Sequence, residues 1–120
     1  MANQTLEQQR AAHANRYANR KGISDNAKKA PAMVQSNGLA QAVAFFVEKW
    51  GKDDDVLGAL QDWILKKAEH LPIDRNKTNL LDAILACDSS TYRAVTAEAL
   101  AYLGWLKRLA GAHEKEKSHA

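Results

Sequence analysis

AMVQSNGLAQAVAFFVEKW, residues 32–50, is the stretch on which the fold turns. Between Leu39 and Val47 its one polar side chain is Gln41, so a helix here is apolar almost all the way round and belongs in the middle of a domain. Leu39, Val43, Phe46 and Trp50 recur at steps of four, three and four, which is helical spacing over a run too long for a single strand. Asn37-Gly38 sits just before it. Both residues tolerate positive φ, and the pair predicts a sharp join between two helices. On this reading the rest of the chain covers the segment, which ends near Gly51.

Outward from it toward the N-terminus, Ser24 or Asp25 is placed to cap a helix running to about Ser36. Pro31 lies inside that helix, removes the hydrogen bond to the Ala27 carbonyl and clashes with it, which predicts a kink or a restart. Thr5 to Lys21 forms the first helix, with Thr5 as N-cap and Gly22 as the stop. Leu6, Ala14, Tyr17 and Ala18 share its apolar face, and His13, Arg16 and Arg20 lie along one edge. Arg10 falls near the middle of the apolar arc. It must reach past its neighbours or find a carboxylate, because a buried unpaired charge is very costly.

Toward the C-terminus, Asp53-Asp54-Asp55 is either a metal site or the cap of a fourth helix. Capping is the better reading, because negative charge suits a helix N-terminus and no second acidic or His cluster stands at ligand spacing. Val56, Leu57, Leu60, Trp63, Ile64 and Leu71 give that helix its stripe, and Pro72 closes it. A polar connection from Asp74 to Thr78 leads to a short helix with Leu80, Leu81, Ile84 and Leu85, capped by Thr78 or Asn79. Asp88-Ser89-Ser90 is the next turn and cap. The longest helix runs from Thr91 to about Ala112, with Tyr92, Val95, Ala99, Tyr102, Leu103, Leu106, Leu109 and Ala110 on one face and Arg93, Lys107 and Arg108 pointing away. The fold class is therefore all-α: a compact single-domain bundle of five to six helices over residues 1–112, followed by a charged tail, 113–120, without core residues and expected to be disordered.

Composition agrees. The chain has 120 residues, only two prolines and six glycines, and is large enough for one domain with a sizeable core. Its single cysteine, Cys87, cannot form an internal disulfide; with no signal-peptide pattern and no apolar run near the roughly 20 residues that span a bilayer, a cytoplasmic location is expected. The net charge of +3 is unevenly spread. Residues 1–30 hold six Lys/Arg against two Asp/Glu, residues 31–91 six against nine, and residues 92–120 five against three. Basic ends can hold phosphates and an acidic middle can meet a basic neighbour, or the pattern is solvated surface alone.

No catalytic set is evident. His13, His70, His113 and His119 lack metal-site pairing, Cys87 suits a small core position better than a nucleophile, and there is no phosphate loop, dinucleotide fingerprint, paired-cysteine motif or nucleophile elbow. No metal or cofactor is expected. Binding remains: Arg10, His13, Arg16, Arg20 and Lys21, interleaved with Tyr17 and followed by Lys28 and Lys29, could follow a nucleic-acid backbone. Tyr17 and Trp105 suit packing better than base stacking.

The segment from Pro31 to Phe46, with QSNGLAQAVAFF, and the segment TYRAVTAEALAYLGWLKRLA, Thr91 to Ala110, resemble the small subunit of the type III-B CRISPR RNA-guided effector complex, the Cmr small-subunit family. Arg10-Ala11 followed by Ala14 fits the same pattern; residues 51–88 match poorly. The resemblance implies a compact all-α protein without catalytic activity, working in antiviral defence. Its copies would stack as an inner filament beside larger backbone subunits and the large subunit, and help hold guide RNA and target RNA. It implies a basic surface from Arg10, Arg16, Arg20 and Lys21 on the first helix and Arg93, Lys107 and Arg108 on the last. Asn37 and Gly38 would serve the fold. Gly104, inside a helix where glycine costs roughly 1 kcal/mol relative to Ala, predicts close packing against a neighbour. A purely protein-binding helical adaptor is the alternative. A helix-turn-helix regulator is not, since no helix opens with exposed Arg, Asn or Gln.

Overall fold

Helices are started where side chains satisfy the free amides of a first turn. In the computed structural model, which describes residues 3–118, Thr5 and Gln8 close a capping box on α1 (Leu6–Ala18). Asp54 accepts from the amides of Val56 and Leu57 to begin α4 (Asp55–Asp62), so the acidic triplet is a cap. Asn79 does the same for α5 (Leu80–Leu85), and Asp88 accepts from the Thr91 amide at the head of α6 (Ser89–Ser118). α2 (Ile23–Asn37) has no side-chain cap, contrary to the role expected of Ser24 or Asp25.

Pro31 neither ends nor restarts α2, which is helical from Ile23 to Asn37. Ala27, Ala30 and Val34 are buried on both sides of the proline, and that packing outweighs the missing hydrogen bond. Gly38, at φ 85°, then joins α2 to α3 (Leu39–Phe45) with no intervening loop, as Asn37-Gly38 predicts. The last turn of this helix widens to π-helix over Phe46–Trp50 and stops at Gly51, φ 91°. α4 likewise ends in a π-helical turn, Trp63–Lys67, several residues before Pro72. The freed carbonyls at that end go to one side chain: Arg75 donates to the carbonyls of Ile64, Leu65, Ala68 and Leu71, which ties down the connection to α5.

The organising helix is α6, not the segment 32–50. α1 and α2 both pack along α6, with α4 against α1 and α2 and with α3 between α2 and α5. Val95, Ala99, Tyr102, Leu103, Leu106 and Ala110 are buried, as the wheel of α6 predicts. α3 buries Leu39, Ala42, Val43 and Phe46 but leaves Phe45 and Val47 at 37% and 38% exposure, with Leu85 of α5 at 67%. It is therefore a one-faced outer helix; an all-apolar sequence states what a helix tolerates, not how many neighbours it has. α6 also continues past residue 112. His113 bonds Asn15 and Lys117 bonds the Asn19 carbonyl, which fastens the charged stretch to α1 as helix through Ser118. His119 lies outside the described residues. A Cα radius of gyration of 14.0 Å is close to the roughly 13.6 Å expected at this length.

Candidate nucleic-acid interface

Arg10 finds its carboxylate on α6. Its guanidinium forks onto Glu98 through Nε and Nη2, the latter at 2.8 Å, with side-chain exposures of 18% and 3%. Glu98 also accepts from Trp63 Nε1 at 3.0 Å, and His70 Nε2 lies 2.9 Å from its other oxygen. Burial raises the Glu98 pKa, but the bonds from Arg10, Trp63 and His70 outweigh it and hold the carboxyl below its ordinary range. Arg10 is thus a structural cation joining α1 to α6, and it drops out of the surface available for binding.

His13 is buried, not on the exposed edge with Arg16. Its Nδ1 meets Tyr102 Oη at 2.6 Å and its Nε2 meets Asp62 Oδ2 at 2.7 Å. Because an ionised carboxylate only accepts, Nε2–H donates to Asp62 and Nδ1 accepts from the tyrosine hydroxyl. Burial depresses the imidazole, against the pull of Asp62, and pushes the Tyr102 hydroxyl far above its ordinary value. The set is a neutral imidazole held between a buried phenol and an ionised carboxylate that is a quarter exposed, and it contains no nucleophile activated by a base. Cys87 is equally quiet: its thiol donates to the Ala83 carbonyl at 3.3 Å, and burial, then Asp88, raises its pKa. Among the described residues no group of three His, Cys, Asp or Glu could hold a metal ion.

The remaining candidate cations lie on the surface. Arg20 pairs with Asp55 at 2.8 Å and lies 4.3 Å from the Tyr17 ring centroid, where His13 also stacks at 5.3 Å. Tyr17 therefore uses its ring internally. Arg16, Lys21, Arg93, Lys107 and Arg108 are exposed and, among the described residues, make no salt bridge. They do not form one patch: Arg93, Lys107 and Arg108 lie on the face of α6 opposite the buried Tyr102 and Leu106, which face the bundle. Gly104 lies between them with open space where a Cβ would stand, so none of the described residues packs on it.

The seam between α1 and the end of α4 carries cations that charge averaging over residues 31–91 conceals. A cleft of about 330 Å³ is lined by Tyr17, Asp62, Lys66, Arg75 and Lys77 among others, and a second, of about 210 Å³, by Gln9, Arg16, Trp63 and Lys67. From Trp63 to Asn79 the count is four Lys/Arg against two Asp/Glu, a local signal legible in sequence had the window been shorter.

The sequence pattern of the family described as "CRISPR-associated protein (Cas_Cmr5)" matches residues 4–113. The chain belongs to the Cmr5 family. A crystal structure of a CRISPR-associated Cmr5 family protein from Thermus thermophilus superposes with a TM-score of 0.72 at 27% identity, over 91% of this chain and 97% of that one. Cmr5-family membership makes the chain a subunit of a Cmr complex in CRISPR defence. The family match extends across residues 51–88, which lie outside both the QSNGLAQAVAFF and the TYRAVTAEALAYLGWLKRLA segments. No helix among the described residues is long and apolar enough to cross a membrane.

Proposed function

We propose that this Cmr5-family subunit is non-catalytic and cytoplasmic, stacks with copies of itself as an inner filament beside the backbone and large subunits, and helps hold guide and target RNA through basic, sequence-independent contacts. The observation that carries the RNA half is the set of exposed cations that make no salt bridge among the described residues, Arg16 and Lys21 on α1 and its C-terminal flank and Arg93, Lys107 and Arg108 on α6. Side chains of this kind displace counterions from phosphates and read backbone, not bases. The assembly half is supported by Phe45, Val47 and Leu85, large apolar side chains left exposed on the isolated chain. Absence of catalysis is supported by the chemistry of the candidates: a His13 whose two ring nitrogens are taken by Tyr102 and Asp62, and a hydrogen-bonded, half-buried Cys87.

These exposed apolar residues would equally serve a protein-only adaptor. Ultraviolet crosslinking of this subunit within the purified complex separates the two readings: RNA adducts on the subunit are expected for an RNA-holding subunit, and their absence alongside normal assembly would favour the adaptor.

A further inference from the structure

The geometry points to a phosphate track along the α1–α4 seam, in which Lys66, Lys67 and Lys77 join Arg16 as contacts to the RNA backbone. This rests on the RNA-holding reading and extends it to residues from the middle of the chain. Lys66 and Lys77 line the 330 Å³ cleft, and Arg16 and Lys67 line the 210 Å³ one. Between the clefts stands the His13–Asp62 pair, on which Arg16, Lys66 and Lys67 all act electrostatically, so these cations share one neighbourhood. Asp62 is the acid at this place, and it is engaged by His13 at 2.7 Å and approached by Lys66 at 3.7 Å. With His13 neutral, cations outnumber carboxylates along the seam.

Two features of the seam suit a backbone and not bases. Arg75, whose donors are taken by four carbonyls, fixes the loop that carries Lys77 and leaves its charge at the cleft. Tyr17, the aromatic side chain lining the larger cleft, is already stacked with His13 and Arg20. The track thus offers positive charge without a free stacking platform, which selects phosphate over base identity.

The test measures binding of the full-length chain to a 20-nucleotide oligouridine and to a mixed-sequence 20-mer by fluorescence anisotropy between 50 and 200 mM salt. Variants are K67A/K77A, the charge-matched K49A/K52A and R16A/K21A. At about 0.7 counterions per single-strand contact, K67A/K77A should flatten the salt slope by about 1.4 and weaken binding about 25-fold at 100 mM, equally for both oligonucleotides. Across the fourfold salt range the unaltered chain should lose about sevenfold more affinity than the variant. K49A/K52A should bind as the unaltered chain does, and melting curves confirm that all variants fold.

If K67A/K77A binds normally while R16A/K21A is weakened, the seam assignment is wrong and the RNA-holding reading stands. If neither the unaltered chain nor the subunit within the complex contacts RNA, both are wrong. If K67A/K77A keeps its RNA affinity but no longer enters the complex, the seam is a protein interface and the inference is overturned.

Discussion

Replacing Glu98 by Leu removes one acceptor from three donors. The Arg10 guanidinium, 18% exposed, loses its counterion, the Trp63 indole N–H is left buried without a partner, and His70 loses its contact. Removing one member of a buried ion pair costs about 3–5 kcal/mol, and the lower end applies here because Arg10 retains some access to water. A buried unpaired indole adds at least about 1 kcal/mol. The sum, about 4 kcal/mol, is a large part of the roughly 6–18 kcal/mol expected for a chain of 120 residues. Urea unfolding followed by circular dichroism should show that loss, with a melting temperature lower by roughly 15 °C at about 4 °C per kcal/mol. R10M/E98L, which replaces the pair by apolar groups, should recover at least about 2 kcal/mol of it. The double variant should also bind RNA as the unaltered chain does, because Arg10 is held inside the bundle. A loss below about 1 kcal/mol in E98L, or strict additivity in the double variant, would refute the role assigned to this hub; weaker RNA binding by R10M/E98L would return Arg10 to the interface.

Stability should fall with acidity in two stages. His13 is depressed below its unfolded value near 6.5, so below that pH the unfolded chain binds the extra proton and the fold loses stability; Arg16 and Lys67 work in the same direction as burial, and Asp62 against it. Glu98 and Asp62 are also depressed, and what they contribute is present above their unfolded values near 4 and lost below them. Urea midpoints from pH 8 to 3 check both stages, and H13Q should remove the upper one. Phe46 is fully buried and stacks on Trp50 at 4.4 Å, so F46N combines a large-to-small change of about 3–5 kcal/mol with an unsatisfied amide of about 1–3 kcal/mol and should cost more stability than E98L. The fraction that remains folded should bind RNA normally, which circular dichroism and anisotropy on one sample would show.

Local structure was legible wherever one residue type has one job. Thr5, Asp54, Asn79 and Asp88 cap as their side-chain chemistry requires, and the apolar face of α6 follows from spacing alone. What spacing does not carry is the number of neighbours. The apolar run from Leu39 to Val47 implies burial all round, yet α3 covers only one side of itself, and the helix the others wrap is α6. Arg10 was recognisable as a residue in need of a carboxylate, but Glu98 lies 88 positions away and joins it only through the packing of α1 on α6. Pro31 shows the reverse case: the restart it could impose does not occur, and Ala27, Ala30 and Val34 are buried around it. For the interface, sequence marks which residues are cationic and folding decides which remain available: Arg10 and Arg20 are paired, His13 is interior, and Lys66, Lys67 and Lys77 are brought beside Arg16 only when α4 docks on α1.

The central claim is that this Cmr5-family subunit touches RNA with its basic surface inside the assembled complex. Crosslinking the purified complex with ultraviolet light, digesting it and mapping the RNA-bearing peptides of this subunit tests that claim most directly. Adducts on peptides containing Arg16 and Lys21, Lys66 to Lys77, or the outward face of α6 at Arg93, Lys107 and Arg108 are the expected result. A fully assembled complex whose RNA crosslinks to its other subunits but never to this one would contradict it.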